Sequence, residues 1–240
     1  VLLLAIDTST TAITTALHDG AAVVAQSSTL DARAHTEHLA PGIRAVLADV
    51  GREPGDVTDV VCGIGPGPFT GLRVGIVTAR TVGFALGVPV RGLTSHDALA
   101  HEAWLGGHRG GLLVATDARR KEVYAARYDL DDDGAHRLEG PVVAKAVDLP
   151  DEWRALPAAG RGPGLWPESL SGWGLPLDVS AGALADLAAR RLRAAGREED
   201  AASLQHVDAG GGFDGLEPLY LRRPDAAPAV APAVGTAPPG

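Results

Sequence analysis

Cysteine occurs once in 240 residues. A single thiol excludes an internal disulfide framework and a thiolate metal cluster. Cys62, inside the run Val60-Val61-Cys62, reads as a small buried hydrophobe. Lysine is nearly missing too, since of the 21 basic residues only Lys121 and Lys145 are lysines. Acids number 30, giving a formal net charge of -9, and the basic residues are scattered rather than striped. That balance argues against a surface that grips nucleic acid by charge, so a nucleic-acid role has to come through a partner. No run approaches the length that spans a bilayer, and the opening Val1-Leu2-Leu3-Leu4-Ala5-Ile6-Asp7 reaches an acid too soon for a secretory leader. The expectation is a soluble, cytoplasmic protein without membrane contact, and 45% apolar residues are ample for a core.

What is abundant is glycine, and its placement is informative. The run Gly63-Ile64-Gly65-Pro66-Gly67-Pro68-Phe69-Thr70-Gly71-Leu72-Arg73 joins a Gly/Pro turn to a helix expected over residues 69–87. Along that helix Gly71, Gly75, Ala79, Gly83 and Gly87 recur every four residues, and positions four apart share a face. Each interior glycine costs roughly 0.5 to 1 kcal/mol relative to alanine, so something must pack into the groove they leave. The pattern leaves open whether that is the chain's own core or a second protein. A Gly-rich loop before a helix also invites a phosphate, but Leu72-Arg73 stands where a Walker A loop needs Lys-Ser/Thr, and Pro68 replaces the third glycine of a dinucleotide loop.

Short strands are expected at residues 3–6, 12–17 and 21–28, with Asp19-Gly20 marking a hairpin. A helix is expected over 36–50, its Pro41 tolerable near the first turn. A strand over 57–64, the small-faced helix, a strand over 88–93 and a Ser95-capped helix over 95–105 follow. Leu112-Leu113-Val114-Ala115-Thr116-Asp117 then repeats residues 2–7 at an offset of 110, and Asp7/Asp117, Ile13/Val123, Ala16/Ala126 and Asp19/Asp129 match without a gap. Such an echo predicts two related αβ halves, over residues 1–105 and 106–223. The second half is less legible beyond an acidic turn at 131–134, a tight turn at 160–164 and a helix over 181–195. Residues 224–240, nearly all Pro, Ala and Gly, are expected to be a disordered tail.

An Asp-Thr-Ser turn between antiparallel strands in one half, matched by Asp-Ala-Arg in the other, resembles the sugar kinase, heat-shock chaperone and actin superfamily, whose halves each carry a mixed sheet with flanking helices around a nucleotide cleft. Ala5 to Ser9, His35 to Leu39, Gly63 to Ile76, Thr116 to Tyr124 and Glu217 to Arg222 together resemble the TsaB (YeaZ) family, over about residues 2–223. The resemblance implies a non-catalytic subunit that pairs with TsaD, joined by the ATPase TsaE, in threonylcarbamoylation of the adenosine beside the tRNA anticodon. Homodimers are implied when TsaD is absent, and tRNA contact is indirect. It implies contact through the first two long helices, so that His38, Leu39, Arg44, Phe69, Thr70, Gly71, Leu72, Gly75, Ala79 and Gly83 are the expected partner surface. Asp7, Thr8, Ser9, Asp117 and Arg119 are the nucleotide-facing turns. No tightly bound cofactor is implied, and at most ATP or ADP with magnesium at a site shared with the partner.

Two other readings compete with this one. A phosphotransferase of the same superfamily needs glycine after each turn acid, where Thr8 and Ala118 stand, and an adenosine loop for which Gly210-Gly211-Gly212 is a poor candidate. A metallopeptidase needs His-Glu-x-x-His, whereas His35-Thr36-Glu37-His38 spaces its histidines three apart, which suits a helix start. Neither catalytic residues nor a metal site is expected.

Overall fold

The computed structural model describes residues 1–31, 35–172, 174–195 and 212–222. The 224–240 tail and Gly210-Gly211 lie outside them. The architecture is α/β with two mixed sheets. The first sheet has the order β3-β2-β1-β4-β5. Its strands are β1 (Leu3–Asp7), β2 (Ala12–His18), β3 (Val23–Leu30), β4 (Asp59–Gly63) and β5 (Val90–Leu93). The 19–22 turn forms as Asp19-Gly20 predicts, with Asp19 Oδ1 accepting from the N–H groups of Ala21 and Ala22. The second sheet has the order β8-β7-β6-β9, with β6 (Gly110–Asp117), β7 (Val123–Leu130), β8 (Ala135–Ala144) and β9 (Ala158–Ala159).

Helices α1 (His35–Asp49) and α2 (Phe69–Leu86) cover the outer face of the first sheet. Leu4, Ile6, Ile13 and Leu17 pack there against Leu39, Val46, Leu72 and Ile76. Pro41 falls inside α1 rather than in its first turn, on the exposed side of the helix. Beneath it Gly42 lies close to Thr15, where an added Cβ would stand 3.2 Å from Oγ1. Between the sheets run α3 (Ser95–Leu105) and α6 (Ala181–Ala194), which pack on each other and on Leu3, Ala5, Leu112, Val114, Ala126 and Tyr128. The shorter α4 (Asp151–Arg154) and α5 (Gly162–Leu165) lie with the second sheet, and Trp153 of α4 joins its outer cluster.

The first sheet is built from residues 3–93 and the second from residues 110–159, and helices are exchanged between them: α6 covers β1, β2 and β3, while α3 covers β6, β7 and β8. Two expectations are corrected here. The gapless echo fails in its first strand. Leu3 and Ala5 face the central layer, but their partners at an offset of 110, Leu113 and Ala115, face the outer cluster. With a period of two, a one-residue slip reverses the face, so Asp7 and Asp117 end their strands on opposite sides. Finally, α2 is by length and composition apolar enough to cross a bilayer, with 18 residues of mean hydropathy 1.2. Leu72, Ile76 and Ala79 pack on the sheet, whereas Val77 and Phe84 are exposed, as are Arg73 and Arg80.

Candidate functional site

Asp7 closes β1, and its side chain turns inward. Oδ1 accepts from the Ser9 N–H and hydroxyl, both at 2.7 Å, and Oδ2 accepts from the Ser95 hydroxyl at 2.6 Å. The residue has no exposed surface. Burial raises its pKa, against the lowering effect of the Ser95 and Ser9 hydrogen bonds. Ser95 is thus not a helix cap: Thr94 holds that position, while Ser95 joins Asp7 to the glycine loop by accepting from the Gly65 N–H at 3.0 Å and donating its own N–H to the Gly65 carbonyl at 2.7 Å. Gly63 makes this possible, since a Cβ there would lie 1.7 Å from Asp7 Oδ2. Gly67 abuts Ser9, with an added Cβ 2.4 Å from the Ser9 carbonyl. From the second half, Tyr124 donates to the Gly67 carbonyl at 3.5 Å.

The cleft between the halves is a cavity of about 230 Å³. One wall is Ser9, Thr10 and Thr11, and the other is Thr116, Asp117 and Arg119, with Arg161 and Asp178 between. Its charges are matched. Arg161 donates from Nε to Asp178 Oδ1 at 2.9 Å and from Nη2 to Oδ2 at 2.5 Å, and Arg119 lies 3.1 Å from Asp117. Behind Thr116, His96 Nε2 lies 2.8 Å from its hydroxyl. Burial, helped by Arg137, pushes that imidazole down to about 3, so it is neutral at physiological pH. The residues 119–121 turn all at positive φ, between 52° and 64°, which is uncommon for side-chain-bearing residues. Glu122 and Arg222 form an ion pair beside that turn.

These residues do not fit a magnesium–phosphate site belonging to this chain alone. Asp7 is committed to its own turn, Thr8 donates to the Gly71 carbonyl at 2.7 Å, and each cleft arginine already holds a carboxylate. Of the expected nucleotide-facing residues, Ser9, Asp117 and Arg119 line the cleft, whereas Asp7 and Thr8 are buried behind it. Arg161 and Asp178 were not anticipated. Arg161 sits in the Gly160 to Gly164 turn, where a lone cation among glycines was the available signal, and nothing in the sequence marks Asp178.

The stripe of small residues on α2 is corrected as a partner surface. Gly71, Gly75, Ala79 and Gly83 are buried against the chain's own sheet. An added Cβ at Gly75 would stand 2.4 Å from Thr8 Oγ1, and at Gly83 2.1 Å from Val90 Cγ2. Gly87 ends the helix in the left-handed conformation, at φ 68°, and is not part of the stripe's contact. Leu39 and Leu72 are core residues, 2% and 0% exposed. The opposite side of α2 carries Thr70, Arg73, Val77, Thr81 and Phe84 in the open, with Phe84 91% and Val77 60% exposed. At its start, Phe69 stacks on Tyr220 at 4.9 Å and lies under Arg73. Arg44 is exposed on the adjoining α1, and His38 is partly exposed, 3.7 Å from Asp31. The side chains of His35 and Thr36 lie outside the described residues.

Comparison with known proteins decides the family. The profile described as TsaD, tRNA N6-adenosine threonylcarbamoyltransferase, matches residues 24–167. The TsaB protein of Escherichia coli (strain K12), named for tRNA threonylcarbamoyladenosine biosynthesis, is 33% identical over 178 residues, covering 68% of this chain and 77% of its own. The chain belongs to the TsaB family. An uncharacterized protein of Mycobacterium tuberculosis (strain ATCC 25618 / H37Rv) is 43% identical over 228 residues, covering 94% of this chain and 93% of its own. A crystal structure of a Pseudomonas aeruginosa protein, described as similar to peptidase YeaZ, superposes with a TM-score of 0.73 at 28% identity, covering 92% of this chain and 99% of that one. Within the TsaB family frame, the buried stripe and the exposed side of α2 divide one helix into a core face and a free face.

Proposed function

We propose that this chain is the non-catalytic subunit that supports TsaD in making threonylcarbamoyladenosine in tRNA, with TsaE as a further partner, in the cytoplasm. Membership of the TsaB family supports the pathway. The observation that carries the subunit role is the free side of α2, where Val77 and Phe84 present apolar surface that the fold leaves uncovered. A large exposed aromatic beside exposed aliphatic surface marks an interaction site more than a solvated helix does. TsaD occupies this face, and a second copy of the chain takes its place when TsaD is absent. The neutralised cleft supports the absence of catalysis, and any ATP or ADP with magnesium is held only where TsaD completes the site. Contact with tRNA passes through TsaD, in keeping with a net charge of -9.

Phe84→Asp tests the reading. The variant is expected to melt within a few degrees of the parent, because its side chain touches almost nothing, and to lose co-purification with TsaD by at least tenfold. Unchanged retention of TsaD by a folded Phe84→Asp chain would remove this face from the interface.

A further inference from the structure

The two sheets have four edges, and they are not treated alike. At β5 the edge is covered where the Asp214 N–H donates to the Gly92 carbonyl. At β9, only two residues long, Ala158 donates to the Ser171 carbonyl. The β8 edge carries His136, Arg137, Glu139 and Pro141, and its register is interrupted opposite Arg127. These are the devices by which edges are kept from pairing with foreign strands. The fourth edge, β3, runs for eight residues as Val-Val-Ala-Gln-Ser-Ser-Thr-Leu, without charge or proline. Among the described residues no backbone group other than those of β2 is bonded to it.

Beside this edge lies a groove formed by two adjoining cavities of about 460 and 390 Å³, which share Gln26, Glu102 and Ser180. Val24, Gln26, Ser28 and Leu30 are exposed along the strand. Glu102, reaching from α3, has a buried Oε2 without a hydrogen-bond partner. The other acid of the larger cavity, Asp186, is satisfied by His101 at 2.7 Å and Arg190 at 2.9 Å. Burial pushes the Glu102 carboxyl up to about 7.

We propose that the β3 edge receives an extended segment of a partner protein as an added strand, with a lysine or arginine of that segment reaching into the groove to Glu102. Strand addition supplies main-chain hydrogen bonds, and side-chain pockets beside the edge supply selectivity. The charge pattern selects a basic segment over a second copy of this chain. A β3–β3 pair would bring no cation to Glu102, since β3 has none, and would join two molecules of net charge -9. The site is separate from the free side of α2 and does not depend on the role given to that helix.

The test uses the full chain and a capped, fluorescent peptide of about ten residues, alternating threonine and valine around one central lysine. Anisotropy is expected to show saturable binding, weakened at least tenfold when the lysine is replaced by norleucine or when the chain carries Glu102→Gln. Gln26→Lys, which places a charge on the edge and within reach of Glu102, is expected to abolish binding while the variant melts no lower than the parent. Absence of saturable binding at millimolar peptide would overturn the proposal. So would binding that is indifferent to the lysine, to Glu102→Gln and to Gln26→Lys. Sedimentation showing dimers that Gln26→Lys dissociates would assign the edge to a second copy and equally overturn it.

Discussion

Two residues show how far burial governs the chemistry here. Glu102 holds its proton more tightly folded than unfolded, with a pKa of about 7 against an ordinary 4.5. Its stabilising contribution is therefore complete below about pH 4.5 and is lost as pH rises through 7. Replacing it with glutamine removes that slope, so the melting temperature of Glu102→Gln is expected to gain on the parent between pH 5 and pH 8. Parallel curves would show that Glu102 ionises normally. Gly63 is the second case. A methyl group there has no room beside Asp7 Oδ2 and the Ser95 hydroxyl, and overpacking a filled core costs about 1 to 3 kcal/mol. Gly63→Ala is expected to lower the unfolding free energy from denaturant titration by about that amount, with an unchanged value contradicting the tight Asp7–Ser95 junction. The sequence offers Asp7 either as a nucleotide-facing acid or as the holder of its own turn, and its bond from the Ser9 N–H is the second. That Ser95, 88 residues away, would claim its second oxygen depends on β1, β4 and β5 ending side by side with Gly63 between the two residues, which no local pattern announces.

At the scale of elements, the periodicity of α2 was legible but its direction was not. Small residues every fourth position specify a close approach without naming the neighbour, and Thr8 and Val90 turn out to be that neighbour. Gly75→Leu gains somewhat under ~1 kcal/mol of helix propensity and must displace Thr8 and its bond to Gly71. It is expected to fail to fold or to melt several degrees early, and a folded, stable Gly75→Leu chain would return the stripe to a partner surface. The strands of the first sheet were readable because hairpin and crossover signals bracket them. β8, β9, α4 and α5 were missed. The first is an exposed edge with charges and a proline, and the others run only two to four residues, too short for any period to develop.

In the whole molecule the halves are interlocked. α3 and α6 each cover the sheet of the opposite half, and Asp97 on α3 gathers Tyr128 at 2.8 Å and Arg191 of α6 at 3.1 Å. A repeat seen in the sequence suggested two units, but shared helices make one cooperative core. Residues 1–105 expressed alone are expected to show no cooperative melt, because the inner face of their sheet loses α6. The division of α2 into a buried face and an exposed one is what ties this fold to its proposed role. The most direct measurement is threonylcarbamoyladenosine content, by mass spectrometry, of tRNA incubated with threonylcarbamoyl-adenylate, TsaD and TsaE, with and without this chain. Modification is expected with the chain present and at background without it or with Phe84→Asp in its place, and the chain is expected to give none when TsaD is omitted. Full modification without the chain, or modification by the chain without TsaD, would contradict the account.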